Sequence, residues 1–119
     1  MYNHLSIRTQ GEVFIIEVKT PRALAQDTND FTNLLLNIIN STNLKLILDL
    51  SKCEFIDSTF IGAMVLAIKI VSANEGQINL IVVKESVLKI FEDMRLNKIF
   101  LISNNLEDAI NSFEKTDQV

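Results

Sequence analysis

The sequence predicts an α/β domain built on a mixed sheet of about five strands with about four helices. Three observations carry that expectation. Two β-rich runs open the chain with only a turn between them. Apolar runs of strand length then alternate with stretches whose apolar residues recur at helical spacing. The chain has 119 residues, 48% hydrophobic and 22% charged, with one proline and three glycines. That composition suits one domain with a sizeable core and leaves no flexible linker to divide it.

Leu5-Ser6-Ile7-Arg8 alternates apolar and polar, Thr9 to Glu12 reads as a turn, and Val13 to Val18 is β-rich. This is an N-terminal hairpin. Thr20-Pro21-Arg22 breaks it. Phe31, Leu34, Leu35, Ile38 and Ile39 have helical spacing, so a helix is expected from about Leu24 to Ile39, closed by Asn40-Ser41-Thr42-Asn43. Leu44 to Leu50 is mostly apolar and reads as a central strand. Asp49 is expected to order the connector after it, Ser51 to Ile56, by local hydrogen bonds. A helix follows from Ser58 to about Ala73, ended by Asn74-Glu75-Gly76, where Gly76 suits a left-handed cap. Ile78 to Val83 is the next strand. Glu85 to Met94 is a short helix with Val87, Leu88, Ile90 and Phe91 inward. Asn97 to Ile102 is a last strand, and Leu106, Ile110 and Phe113 mark a last helix with a loose tail from about Thr116. Strands separated by helices imply right-handed crossovers and a parallel portion of sheet.

The bulk numbers exclude several functions. A net charge of -4 speaks against nucleic acid and against anionic membranes. The longest near-continuous apolar run, Phe60 to Ile68, falls far short of the ~18 residues of a membrane span, and Met1 to Leu5 lacks a secretion-signal pattern. A single cysteine, Cys53, cannot pair within the chain and fits a reducing, cytoplasmic setting. One His and one Cys supply no metal site, and no cofactor motif is present. Ser-His-Asp catalysis would have to recruit His4 from a terminal segment expected to fray. The chain is therefore expected not to be an enzyme.

The most informative stretch is Phe55-Ile56-Asp57-Ser58-Thr59-Phe60-Ile61-Gly62, between a strand and a helix. Asp57 or Ser58 can serve as an N-cap, its side-chain oxygen accepting from a free helix amide. A hydroxyl at a helix start can instead accept a phosphate, adding about -1.5 to -2 charges where helix amides tolerate them. Neighbouring Asp57 would repel that charge, as would any partner docked there. The following helix is apolar nearly all round, so its surplus must be covered by other helices or by a partner.

At these residues the chain resembles the STAS family, the anti-sigma factor antagonists of bacteria. The family signature is an apolar-Asp-Ser-Ser/Thr-Gly-apolar-Gly run after a strand ending in Asp-Leu. Leu46 to Leu50 followed by Phe55 to Gly62 matches it except at Phe60, and Ile78 to Val83 with Val87 to Phe91 matches the family's next strand and helix. The resemblance covers almost the whole chain and implies a single STAS-like domain over residues 1–119. It implies phosphorylation at Ser58, with Thr59 as second choice, by a serine kinase that is also the anti-sigma factor. It implies partner contact through Asp57, Ser58, Thr59, Phe60, Ile61 and Met64. The ATP belongs to the kinase, so no cofactor is expected here. Two departures stand out. Phe60 replaces a family Gly that allows close backbone approach; it would obstruct that approach or create a different apolar contact. The segment Thr20 to Ala23 lacks the acid of the family's Gly-x-Leu-Asp.

Two other readings compete. One is a STAS module in a signalling or transport assembly that is never phosphorylated. The other is a receiver-like protein with Asp49 as phosphoacceptor, which the opening hairpin and the absence of an acidic cluster after the first strand disfavour.

Overall fold

Strands that are apolar on both faces must be covered on both faces, and a computed structural model of the chain covers them unequally, with three helices on one side and one on the other. Residues 3–39 and 43–117 are described, with side chains as far as Phe113. Strands β1 (Leu5–Gln10) and β2 (Val13–Val18) form the antiparallel hairpin, Leu5 opposite Val18 and Gln10 opposite Val13. Gly11 takes a φ of 59°, the left-handed value a two-residue hairpin turn needs at its first central position.

Two short strands, β3 (Arg22–Ala23) and β5 (Phe55–Ile56), pair with each other in parallel, apart from the main sheet. Between them lie a 3-10 turn (Ala25–Asp27), α1 (Thr28–Ile38) and β4 (Lys45–Asp49). After β5 come α2 (Ser58–Ala73), β6 (Gln77–Ile81) and α3 (Glu85–Asp93). A second 3-10 turn (Leu96–Lys98), β7 (Leu101–Ser103) and α4 (Leu106–Asp117) complete the chain.

The main sheet runs β1-β2-β4-β6-β7, with the last four strands mutually parallel. Each crossover from β2 to β7 steps the same way across the sheet. Right-handed connections then force α1, α2 and α3 onto one face. Leu46, Leu48 and Leu50 of the β4 region pack into the larger core under these helices, while Ile47 packs with Ala109 and Phe113 beneath α4. In crossover order α2 lies between α1 and α3, and it packs against α1 as well as against the sheet.

Several boundaries differ from expectation. Residues 24–27 form a separate turn ahead of α1, because the Asp27 side chain closes on the Leu24 amide at 3.0 Å. The last strand is only Leu101–Ser103, since residues 96–98 coil as a 3-10 turn behind a left-handed Arg95 (φ 59°). Helix α4 reaches Asp117, overrunning the expected tail from Thr116, and the last two residues lie outside the described ones. Residues 40–42 of the expected closure of α1 also lie outside; Asn43 is left-handed.

Gly76 does not make the left-handed cap of α2; Glu75 does, at φ 61°. Gly76 is required by space. A Cβ there would sit 2.7 Å from the Leu44 carbonyl oxygen and 2.7 Å from Val71 Cγ1. Gly76→Ala is therefore expected to destabilise the fold by about 1–3 kcal/mol, the range for forced overpacking. Urea denaturation of the variant checks this; an unchanged midpoint would refute the close approach.

Candidate functional site

The strand-to-helix junction at β5 and α2 is built around Asp57. Its backbone is extended (φ -83°, ψ 168°), the geometry of an N-cap. Oδ1 accepts from the Phe60 amide at 2.8 Å, which caps α2. Oδ2 accepts from the Ala25 amide at 2.8 Å, which ties the 24–27 turn to the same helix end. The backbone adds a third tie, the Asp57 amide donating to the Ala23 carbonyl at 3.0 Å. Both carboxylate oxygens are thus engaged, and Asp57 is the cap.

Ser58 is consequently the first residue of α2 and not its cap. Its side chain is exposed, as is that of Thr59. Gly62, one turn further, is also exposed, and a Cβ built on it would meet nothing within 4 Å. Leu66, 57% exposed, continues that strip along α2. Phe60, Ile61 and Met64 were expected to face a partner, and the structure corrects this: they are 0%, 4% and 1% exposed. The Phe60 ring packs against Phe31 of α1 with centroids 5.5 Å apart. It neither obstructs the surface nor adds an apolar contact to it. A bulky residue one position from an exposed hydroxyl points inward because successive helix positions are turned by about 100°.

The surroundings are partly apolar. Phe55 is 38% exposed beneath the Arg22 guanidinium, whose carbon lies 4.8 Å from the ring centroid. Ser86 of α3 donates to the Glu54 carbonyl at 2.8 Å, anchoring the start of β5. Asp49 accepts from the Ser51 amide at 2.9 Å and orders the connector as expected.

The sequence analysis weighed His4 only as a catalytic candidate and did not foresee its pairing with Asp27. Asp27, four residues after the Thr20 to Ala23 segment, is 2% exposed. Its Oδ2 accepts from the Leu24 amide and its Oδ1 pairs with His4 Nδ1 at 2.6 Å. His4 was expected to fray; instead the Lys19 amide donates to its carbonyl at 2.7 Å and its ring holds a buried carboxylate. An Asp three residues after the start of a turn was the one available signal.

Cys53 is buried and donates to the Thr20 carbonyl at 3.4 Å. Burial pushes its thiol up from 9.0 to about 12, and Asp49 and Asp27 add to the rise. Among the described residues no cluster of three or more His, Cys, Asp or Glu could hold a metal ion, and no helix is long and apolar enough to cross a membrane.

This geometry defines an α/β domain with a solvent-facing hydroxyl on a helix capped by the preceding residue. The STAS domain family model matches residues 4–109, and the chain belongs to that family. An anti-sigma factor antagonist from Mycobacterium paratuberculosis superposes with a TM-score of 0.80 at 15% identity, covering 91% of each chain. The anti-sigma factor antagonist SpoIIAA in its unphosphorylated form gives 0.68 at 12% identity, covering 97% of this chain and 99% of that one. The murine anion transporter Slc26a9 gives 0.70 at 19% identity, with 87% of this chain matching 18% of the transporter. At these identities the likenesses show the fold.

Two outcomes follow from the capping. Asp57→Ala should cost about 1–2 kcal/mol, the loss of a good N-cap, whereas Ser58→Ala should stay within about 0.5 kcal/mol; denaturation midpoints compare them, and equal losses would contradict the assignment. Cys53 should resist thiol reagents at pH 8 until the chain is unfolded. Because the folded thiol keeps its proton and the unfolded one releases it near 9.0, stability should fall as pH rises from 9.0 toward about 12.

Proposed function

We propose that this protein is a partner-switching regulator of the anti-sigma factor antagonist kind. It binds a serine-kinase anti-sigma factor in the cytoplasm while Ser58 is bare and lets go when Ser58 carries a phosphate. The chain is substrate and ligand of that kinase, and the ATP is the kinase's. The observation that carries the reading is the division of labour between adjacent residues. Asp57 does the capping, so the exposed Ser58 hydroxyl is not needed as the cap of the helix it opens.

The physics of release is local. A phosphate on Ser58 adds about -1.5 to -2 charges beside the carboxylate of Asp57. The amides of the first turn of α2 offset part of that repulsion within the chain. A partner lying over Ser58, Thr59 and Gly62 has no such compensation unless it brings a cation. Asp57, Ser58 and Thr59 thus remain the proposed contact, extended along Gly62 and Leu66, while Phe60, Ile61 and Met64 support it from beneath. Thr59, also exposed, is the second-choice acceptor.

A second reading is a STAS module that works without phosphorylation inside a larger assembly. The likeness to the domain within an anion transporter favours it. Incubation with a cognate serine kinase and ATP separates the two. One phosphate should appear by intact mass, map to Ser58, and vanish in Ser58→Ala. Ser58→Asp should weaken partner binding while thermal stability stays nearly unchanged. No incorporation, or incorporation elsewhere, would favour the unmodified module.

A further inference from the structure

We infer that His4 is a positioning residue for the N-terminus of α2, acting through Asp27 and Asp57 on the end of the helix where Ser58 sits. The connection can be followed atom by atom. His4 Nδ1 lies 2.6 Å from Asp27 Oδ1. A carboxylate only accepts, so this ring nitrogen carries the hydrogen. Asp27 Oδ2 accepts from the Leu24 amide at 3.0 Å, and the Asp27 amide donates to the Leu24 carbonyl at 2.8 Å, which closes the 24–27 turn. That turn presents the Ala25 amide to Asp57 Oδ2 at 2.8 Å. Asp57 Oδ1 then holds the Phe60 amide at 2.8 Å.

Two features make this more than a chain of contacts. Asp27 is one of only two buried polar residues among those described, the other being Asn79. A buried carboxylate that loses a partner must find water or another donor. Removing the His4 ring therefore pulls Asp27 toward solvent, and the Leu24 to Asp27 turn moves with it. His4 in turn is 41% exposed at its side chain and precedes the edge strand β1, so the far end of the relay lies at the surface. The N-terminal segment and the proposed acceptor, 54 positions apart in sequence, share one hydrogen-bonded path.

The inference deepens the reading of Ser58 as the regulated position, but its test needs neither kinase nor phosphate, so the two can fail separately. Backbone amide exchange is measured by NMR on the full unbound chain as wild type, His4→Ala and His4→Asn. An Asn amide nitrogen branches from the same carbon position as Nδ1 and restores a donor there. In His4→Ala, exchange at Ala25 and Phe60 should accelerate tenfold or more relative to the central-strand amides of Leu48 and Leu80. In His4→Asn it should return to within about threefold of wild type. Unchanged exchange at Ala25 and Phe60 in His4→Ala would overturn the inference. So would uniform acceleration at all four amides, or a His4→Asn variant that behaves like His4→Ala.

Discussion

The two oxygens of Asp57 carry the arrangement on which the site depends. One caps α2 and the other grips the 24–27 turn. A carboxylate used on both sides fixes the helix start relative to the β3–β5 ladder without help from its neighbour. Ser58 is thereby left at the surface with nothing to hold. In a protein whose net stability amounts to only about 5–15 kcal/mol, a regulatory residue that also capped a helix would link every modification to partial unfolding. Here the cap is Asp57, and the exposed hydroxyl is on the residue after it.

The architecture supports this from below. Because the crossovers all step in one direction, three helices share a face and α2 lies in the middle of them. Its inward side chains, Phe60, Ile61, Met64, Ala67 and Val71, are buried. Ser58, Thr59, Gly62 and Leu66 lie exposed along its outer side. A glycine inside a helix costs about 0.5–1 kcal/mol relative to alanine, and no atom of this chain lies near enough to Gly62 to require one. Open space above that glycine is consistent with a surface that another backbone approaches.

Much of the fold was legible because the strand and helix periods differ so plainly here. Leu46 to Leu50 read as a doubly covered strand from its apolar run, and Phe31, Leu34 and Leu35 read as a helix face from their spacing. The short ladder of Arg22–Ala23 with Phe55–Ile56 was not legible, since two residues carry no period. The strand expected at 97–102 failed at its start, where the left-handed Arg95 feeds a 3-10 turn instead. In the site, Ser58 and Asp57 were visible as residue types at a helix start, but which of them capped was a question of geometry. Phe60, Ile61 and Met64 were assigned to the surface by association with the motif, and helix rotation places them inside. The pairing of His4 with Asp27 was invisible because it joins positions 23 apart with no periodic signal.

The account rests on a modification that alters a surface and leaves the interior alone. A proton–nitrogen correlation spectrum of the chain, bare and then fully phosphorylated on Ser58, tests that most directly. Shifts confined to residues 24–27 and 55–62, with the amides of β2, β4 and β6 unmoved, are the expected result. Widespread changes across those central strands, or loss of dispersed signals, would contradict it.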